Sequence, residues 1–196
     1  MEHDFTLSGH GVRMVPLAIE HAPALLGHID AALWAGMITA VPRDVQQMAA
    51  VITQCLDAPD RCGFTVLGAE SGEVRGSSWF YDVHHGQRRC EIGNTFYGRE
   101  WWGGATNPAC KLLMLGHAFD EWGMYRVALR ADTRNTRSIG AITRMGAVPE
   151  GVLRGHRVGP DGTRGDTAYF SILAPEWPTV RAGIEQRLAA SEPARA

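Results

Sequence analysis

The sequence predicts a mixed α/β fold around one sheet, with a strand meander ahead of a strand–helix–strand unit. Three observations carry this. Strand-like apolar runs recur at residues 12–17, 64–67, 74–81, 90–97, 126–131, 148–158 and 167–173. Helical spacing fills the intervals, most clearly over 107–122, where Leu112, Leu115, Phe119 and Trp122 share one face. No repeat, linker or composition break divides the chain, so residues 1–196 are expected to form a single domain with a short tail from about 189.

The elements follow in order. Residues 12–17 read as a first strand closed by Pro16. Residues 20–34 place Leu25, Leu26, Ile29 and Leu33 at helical spacing. Pro42 and Asp44 open a second helix with Val45, Met48, Ile52 and Leu56 on its apolar face. Three strands come next, separated by the turn at 68–73 and by a polar loop holding His84, His85 and Gly86. The long helix at 107–122 stops at Gly123, and a strand over 126–131 leads to a short helix over 135–145 stopped by Gly146. Two closing strands flank the turn Gly159-Pro-Asp-Gly162, and a helix over 177–188 ends the chain.

Composition bounds the function. The chain has 196 residues, 45% apolar and 20% charged, which is ordinary for a globular domain with its own core. A formal net charge of −2 gives no reason to expect nucleic acid or an anionic membrane as partner. Cys55, Cys62, Cys90 and Cys110 have neither C-x-x-C nor metal-ligand spacing, which suits a reduced compartment. No secretory signal and no apolar run of membrane-spanning length is evident, so the expectation is a cytoplasmic protein.

The chemistry concentrates in Gly98-Arg-Glu-Trp-Trp-Gly-Gly-Ala-Thr-Asn-Pro-Ala-Cys-Lys111. Gly103, Gly104 and Ala105 permit a tight turn and a close backbone approach to a ligand. Asn107 is expected to cap the helix that follows, with Pro108 in its first turn. The free N–H groups of such a helix start suit a phosphate or pyrophosphate. No Gly-Lys-Ser/Thr or G-x-G-x-x-G spacing is present, so neither a Walker loop nor a dinucleotide fingerprint applies. A second helix start, at Asn135 and Ser138, follows a strand that a right-handed crossover makes the parallel neighbour of 90–97, so both starts open on one edge.

With these motifs in order, the chain resembles the GNAT superfamily of acetyl-CoA-dependent N-acetyltransferases, closest to its RimJ/RimL-type branch. The resemblance rests on Glu91-Ile-Gly-Asn-Thr-Phe-Tyr-Gly98, Trp101-Trp102-Gly103, Asn107, Lys111, the Asn135-x-x-Ser138 helix with Arg144-Met-Gly-Ala147, Gly151-Val-Leu-Arg154 and the closing strand through Ser171-Ile172-Leu173. It covers residues from about 5 to 188. It implies a central twisted mixed sheet of about seven strands flanked by helices, with acetyl-CoA as cosubstrate in the cleft where two central parallel strands splay, and no metal. It further implies that the pantetheine arm lies along the strand Gly93–Tyr97, with Thr95 and Phe96 among its contacts. Trp102, Gly103, Gly104, Ala105, Thr106 and Asn107 would hold the pyrophosphate, and Asn135 and Ser138 would meet the pantetheine and the thioester sulfur. A backbone N–H of the 93–95 strand would steady the developing oxyanion. Ala105 departs from the family, which usually has glycine there; a turn needing positive φ at that place would shift by one residue or bear strain. Related proteins often pair, so a homodimer is expected from the resemblance alone.

Each site residue also has a structural reading. Asn135 is a natural helix cap, and Ser138, the candidate proton donor, is an ordinary first-turn serine. Glu91, the candidate base, starts a strand bordering the site but is equally a strand-end charge. His156 and Asp132 are reserve bases, and His84–His85 lacks the further ligands of a metal site. Trp34, Trp79 and Tyr81 are candidate acceptor contacts that would serve equally as core. A protein N-terminal amine titrates at about 7.7–8.0 and a lysine-like amine at about 10.4, so a site without an obvious dedicated base favours an α-amine or another weakly basic amine. The resemblance to this branch implies a protein or peptide N-terminus as the acceptor. The alternatives are a small amine (antibiotic, polyamine or amino-acid derivative) and a CoA-binding module without turnover.

Overall fold

The structure, a computed structural model, describes residues 3–159 and 162–191. Pro160 and Asp161 of the expected turn and residues 192–196 of the expected tail lie outside the described residues.

The chain opens on a hairpin of β1 (Leu7–Gly9) and β2 (Val12–Pro16), turned at His10 and Gly11, both in left-handed backbone (φ 50 and 75). That conformation suits the tight hairpin turns whose twist matches the strands. Short helices α1 (Ala22–Leu26) and α2 (Ala31–Trp34) and the longer α3 (Val45–Leu56) follow. Then come β3 (Cys62–Gly68), β4 (Val74–His84), β5 (Arg89–Tyr97), α4 (Thr106–Gly116), β6 (Arg126–Asp132), α5 (Thr136–Met145), β7 (Val148–Val158), β8 (Arg164–Leu173) and α6 (Trp177–Ser191). The strands make one mixed sheet in the order β1-β2-β3-β4-β5-β6-β8-β7.

The mixed sheet with flanking helices is as expected, but it has eight strands instead of about seven. The extra strand is β1, whose Leu-Ser-Gly is too short to carry a period. The single helix expected over 20–34 is a second correction. It breaks into α1 and α2 because Asp30 turns its carboxylate onto the Leu33 N–H (2.8 Å) and starts a new helix. A capping acid competes with helix continuation in this way. Asp44 caps α3 likewise, accepting from Gln47 N–H at 2.8 Å.

Helices cover both faces. Phe64, Phe80 and Ile92 of the sheet meet Met114 and Leu115 of α4 and Trp177 of α6 on one side. Trp79 and Phe96 meet Leu25, Trp34, Met48 and Ile52 of α1–α3 on the other.

The feature that positions the site is the β5–β6 ladder, the sheet's parallel pair. It runs only through Arg89↔Arg126, Cys90↔Val127 and Glu91↔Ala128, although β5 continues to Tyr97 and β6 to Asp132. A bulge in β5 accompanies the parting: Gly93 faces Trp79 and Phe96 faces Ser77, with Asn94 forced to φ 45 between them. An extra residue bends its strand and re-aims the side chains around it.

Candidate active site

Beyond Glu91 the two strands border a cleft of about 810 Å³. Gly93–Phe96 of β5 form one wall, and the turn before α4 and the start of α5 close its ends. Of the residues expected to touch the cosubstrate, Thr95, Phe96, Trp102, Gly103, Gly104, Asn107, Asn135 and Ser138 line this cleft together.

The turn differs from expectation in two respects. Asn107 is not the helix cap: α4 begins at Thr106, with Ala105 as its cap residue and no side chain bonded to its first N–H groups. Asn107 and Pro108 sit inside the first turn, where proline's missing N–H leaves no hydrogen bond unmade. Nor does Ala105 bear strain. Its backbone is right-handed (φ −74), and the positive φ falls on Gly103 (φ +76), where an added methyl would meet nothing within 4 Å. Ala105 and Thr106 do not reach the cleft with their side chains; Thr106 is buried and its Oγ1 accepts from Arg75 Nη1 at 3.4 Å. Above the turn, the Arg137 and Arg99 guanidiniums lie 3.4 and 4.8 Å from the Trp102 ring centroid.

At the other end Asn135 does cap α5, its Oδ1 accepting the Ser138 N–H at 3.0 Å. Its Nδ2 points instead at Gly36, where an added Cβ would lie 2.8 Å away. Cap and cleft contact thus use opposite ends of one amide. Ser138 lines the cleft beside it.

Trp34, Trp79 and Tyr81 all line the cleft. Trp34 Nε1 donates to the Thr39 carbonyl and hydroxyl at 3.1 and 3.2 Å, tying down the loop after α2. Tyr81 pairs across the β4–β5 ladder with Glu91, and its hydroxyl accepts from Arg130 Nε at 3.1 Å. Burial pushes the Tyr81 phenol up, and the Glu91 carboxylate adds to this. Glu91 itself is not on the cleft wall. Its Oε2 lies 3.2 Å from Arg130 Nε, near enough to attract but not aligned as a hydrogen bond. Asp132 and His156 do reach the cleft. Asp132 is held below the usual carboxylate range chiefly by Arg134, and His156 Nδ1 meets Thr167 Oγ1 at 3.1 Å. His84 accepts the Gln87 N–H at 3.1 Å, and no metal-holding group of His, Cys, Asp and Glu occurs among the described residues.

Sequence reasoning missed three cleft residues. Lys111, the chain's one lysine, is buried, its ammonium donating to Thr95 Oγ1 at 2.8 Å and Ser78 Oγ at 3.0 Å; burial pushes its pKa down to about 8. Arg130 and Arg157 reach the cleft from β6 and β7. A lysine in the apolar stripe of a helix was the one signal available.

A mixed sheet that parts at its parallel pair, with two helix starts opening on the gap, defines an acyltransferase-type fold. The chain belongs to the acetyltransferase (GNAT) domain family, whose profile matches residues 12–148. It is 31% identical over 107 residues to a Bacillus subtilis (strain 168) protein provisionally named ribosomal N-acetyltransferase YdaF, covering 54% of this chain and 57% of that one. The match spans less than two thirds of the length of the curated relatives found. A crystal structure from T. thermophilus, provisionally described as that of an acetyltransferase, superposes with a TM-score of 0.88 at 34% identity, over 96% of this chain and 99% of that one. Mycobacterium smegmatis RimJ in complex with CoA-disulfide shares the fold, with a TM-score of 0.81, 20% identity and 95% of each chain covered. No described helix is long and apolar enough to cross a membrane.

Proposed function

We propose that this chain transfers an acetyl group from acetyl-CoA to a primary amine, an α-amine at a protein or peptide N-terminus, by direct attack within a ternary complex. The observation that carries the reading is the parted β5–β6 pair flanked by two helix starts.

The residues present fit the cosubstrate. The uncapped first turn of α4 and the open glycine turn before it suit a pyrophosphate, since free N–H groups and the positive dipole end face the same place. Backbone groups of β5 past Glu91 have no partner strand in β6 and suit the amide-bearing pantetheine arm. Asn135 Nδ2 would donate to that arm while its Oδ1 stays on Ser138. Acetyl-CoA supplies an activated thioester to the attacking amine. Ser138, on the cleft wall, would hand its hydroxyl proton to the departing thiolate. The proton of the amine would leave toward Tyr81 and Glu91, which Arg130 keeps adjacent. Kinship with a protein provisionally named as a ribosomal N-acetyltransferase supports a protein amine as acceptor.

The test is thiol release from acetyl-CoA with N-terminal peptides, lysine ε-amines and small amines side by side. Peptide α-amines should be preferred, and Ser138→Ala should lower kcat by about 10²-fold or more at unchanged acetyl-CoA affinity. A clear preference for ε-amines would sink the acceptor reading, and failure to bind acetyl-CoA would sink the whole of it.

A further inference from the structure

In and beside the cleft three guanidiniums, Arg130, Arg134 and Arg157, meet two carboxylates, Glu91 and Asp132. Arg130 stands against Glu91 at 3.2 Å. Asp132 is taken by Arg134: its Oδ1 accepts the Arg134 backbone N–H and Nε at 2.8 and 2.9 Å, and its Oδ2 accepts Nη2 at 2.8 Å. The third, Arg157 of β7, has no carboxylate of its own. Its side chain is only 12% exposed, its nearest acid is Asp132 Oδ2 at 3.8 Å, and its Nε is buried without a hydrogen-bond partner. Nη2 donates to the Gly36 carbonyl at 2.6 Å, a neutral acceptor.

A guanidinium does not shed its proton to escape burial, as a lysine or histidine does. An incompletely paired buried charge is costly, and a carboxylate brought to it forms the strong, planar, charge-assisted kind of bond. Burial works most strongly against the charge on Arg157; Asp132 recovers part of that loss, while Arg130 and Arg134 repel it. Position ties this unmatched charge to the chemistry. Gly36 accepts from Arg157 and also abuts the Asn135 amide, and Arg157, Asn135 and Ser138 line the same cleft.

We propose that the acceptor carries a carboxylate close to its reactive amine, and that Arg157 is the specificity residue that receives it. The inference rests on the acetyltransferase reading of this cleft. Two sources offer that chemistry: the side chain of an N-terminal Asp or Glu, and the α-carboxylate of a free amino acid.

The test uses the full chain and acid–amide pairs. Glu-Ala-Ala-amide against Gln-Ala-Ala-amide reports a side-chain acid, and free glutamine against glutaminamide reports an α-carboxylate. Each is measured by thiol release and by calorimetric binding to the CoA-saturated protein. The wild type should favour the acid of at least one pair by tenfold or more, and that pair names the source. Arg157→Gln should bring the ratio to within twofold of one with acetyl-CoA affinity unchanged, and Arg157→Lys should restore part of it. A wild-type ratio near one in both pairs overturns the proposal, whether or not the variants fold. So does an unchanged ratio in Arg157→Gln with both members of the pair slowed alike, because Arg157 would then only strap the Gly36 loop. Selective acid binding without turnover would refute the transferase reading and leave this one standing.

Discussion

Replacing Lys111 by Met should make the protein more stable at neutral pH. The lysine is 5% exposed and meets only neutral hydroxyls, Ser78 Oγ at 3.0 Å and Thr95 Oγ1 at 2.8 Å. Its pKa falls from 10.5 to about 8 on folding. At 1.36 kcal/mol per unit, that drop of about 2.5 units is a penalty of about 3 kcal/mol on the charged form. Methionine has similar reach and no charge. It forfeits hydrogen bonds worth about 1 kcal/mol, while Ser78 and Thr95 keep their own bond at 2.7 Å. The net expectation is a gain of about 2 kcal/mol at pH 7. Its pH dependence is the sharper test. Because the folded pKa is the lower one, the unfolded chain holds the extra proton between pH 8 and 10.5, so the wild type regains stability relative to Lys111→Met across that window. Below pH 8 both states are charged and the difference is constant. Urea unfolding of both proteins from pH 6 to 10.5 measures it, and titrations common to the two cancel. A difference that does not vary with pH, or a wild type more stable than the variant at pH 7, would refute the reasoning.

Three further outcomes are expected. Burial raises all four thiols, Cys55 and Cys90 to about 12 and Cys62 and Cys110 to about 11, so their contribution is present below the unfolded value of 9.0 and is lost as pH climbs toward those figures; a thiol reagent at pH 8 should find none of them until denaturant is added. Gly76→Ala should cost about 3 kcal/mol, because a methyl there (φ 153) overlaps the Phe96 carbonyl oxygen and lies 2.8 Å from Tyr97 Cα, both fixed backbone; the melting temperature should fall by about 6–12 °C. Asn135→Ala should lose about 1 kcal/mol of stability with the Ser138 cap and weaken acetyl-CoA binding as well, read by thermal melting and calorimetry together.

Much of this was legible in the sequence because it is local or periodic. Leu112 and Leu115 declare α4, and a π-helical turn over His117–Glu121 extends it toward Gly123. Gly123 and Gly146 stop the two helical stretches with positive φ, and the strands before Thr106 and Asn135 were correctly read as parallel neighbours. The break at Asp30 was hidden, since Leu25, Leu26, Ile29 and Leu33 keep a helical period straight through it. Asn107 drew the cap assignment that belongs to Ala105, because capping preference does not report where the preceding turn lets the helix begin, and Ala105 is already right-handed with no side-chain cap. Arg157 was invisible for a different reason, whereas Lys111 stood out only as a charge in the apolar stripe of α4. Charged residues are solvated by default, and only contacts as distant in sequence as Arg157 with Gly36 reveal them as interior.

The brevity of the β5–β6 ladder has a mechanical consequence. Three residue pairs couple five strands on one side to three on the other, so that seam is, with the edge pair β1–β2, the shortest join in the sheet. A ligand whose amides engage both edges would act as a splint across it. Occupancy should therefore register as slowed amide exchange in Ile172 and Leu173, which lie outside the cleft wall, as much as in the residues the ligand touches.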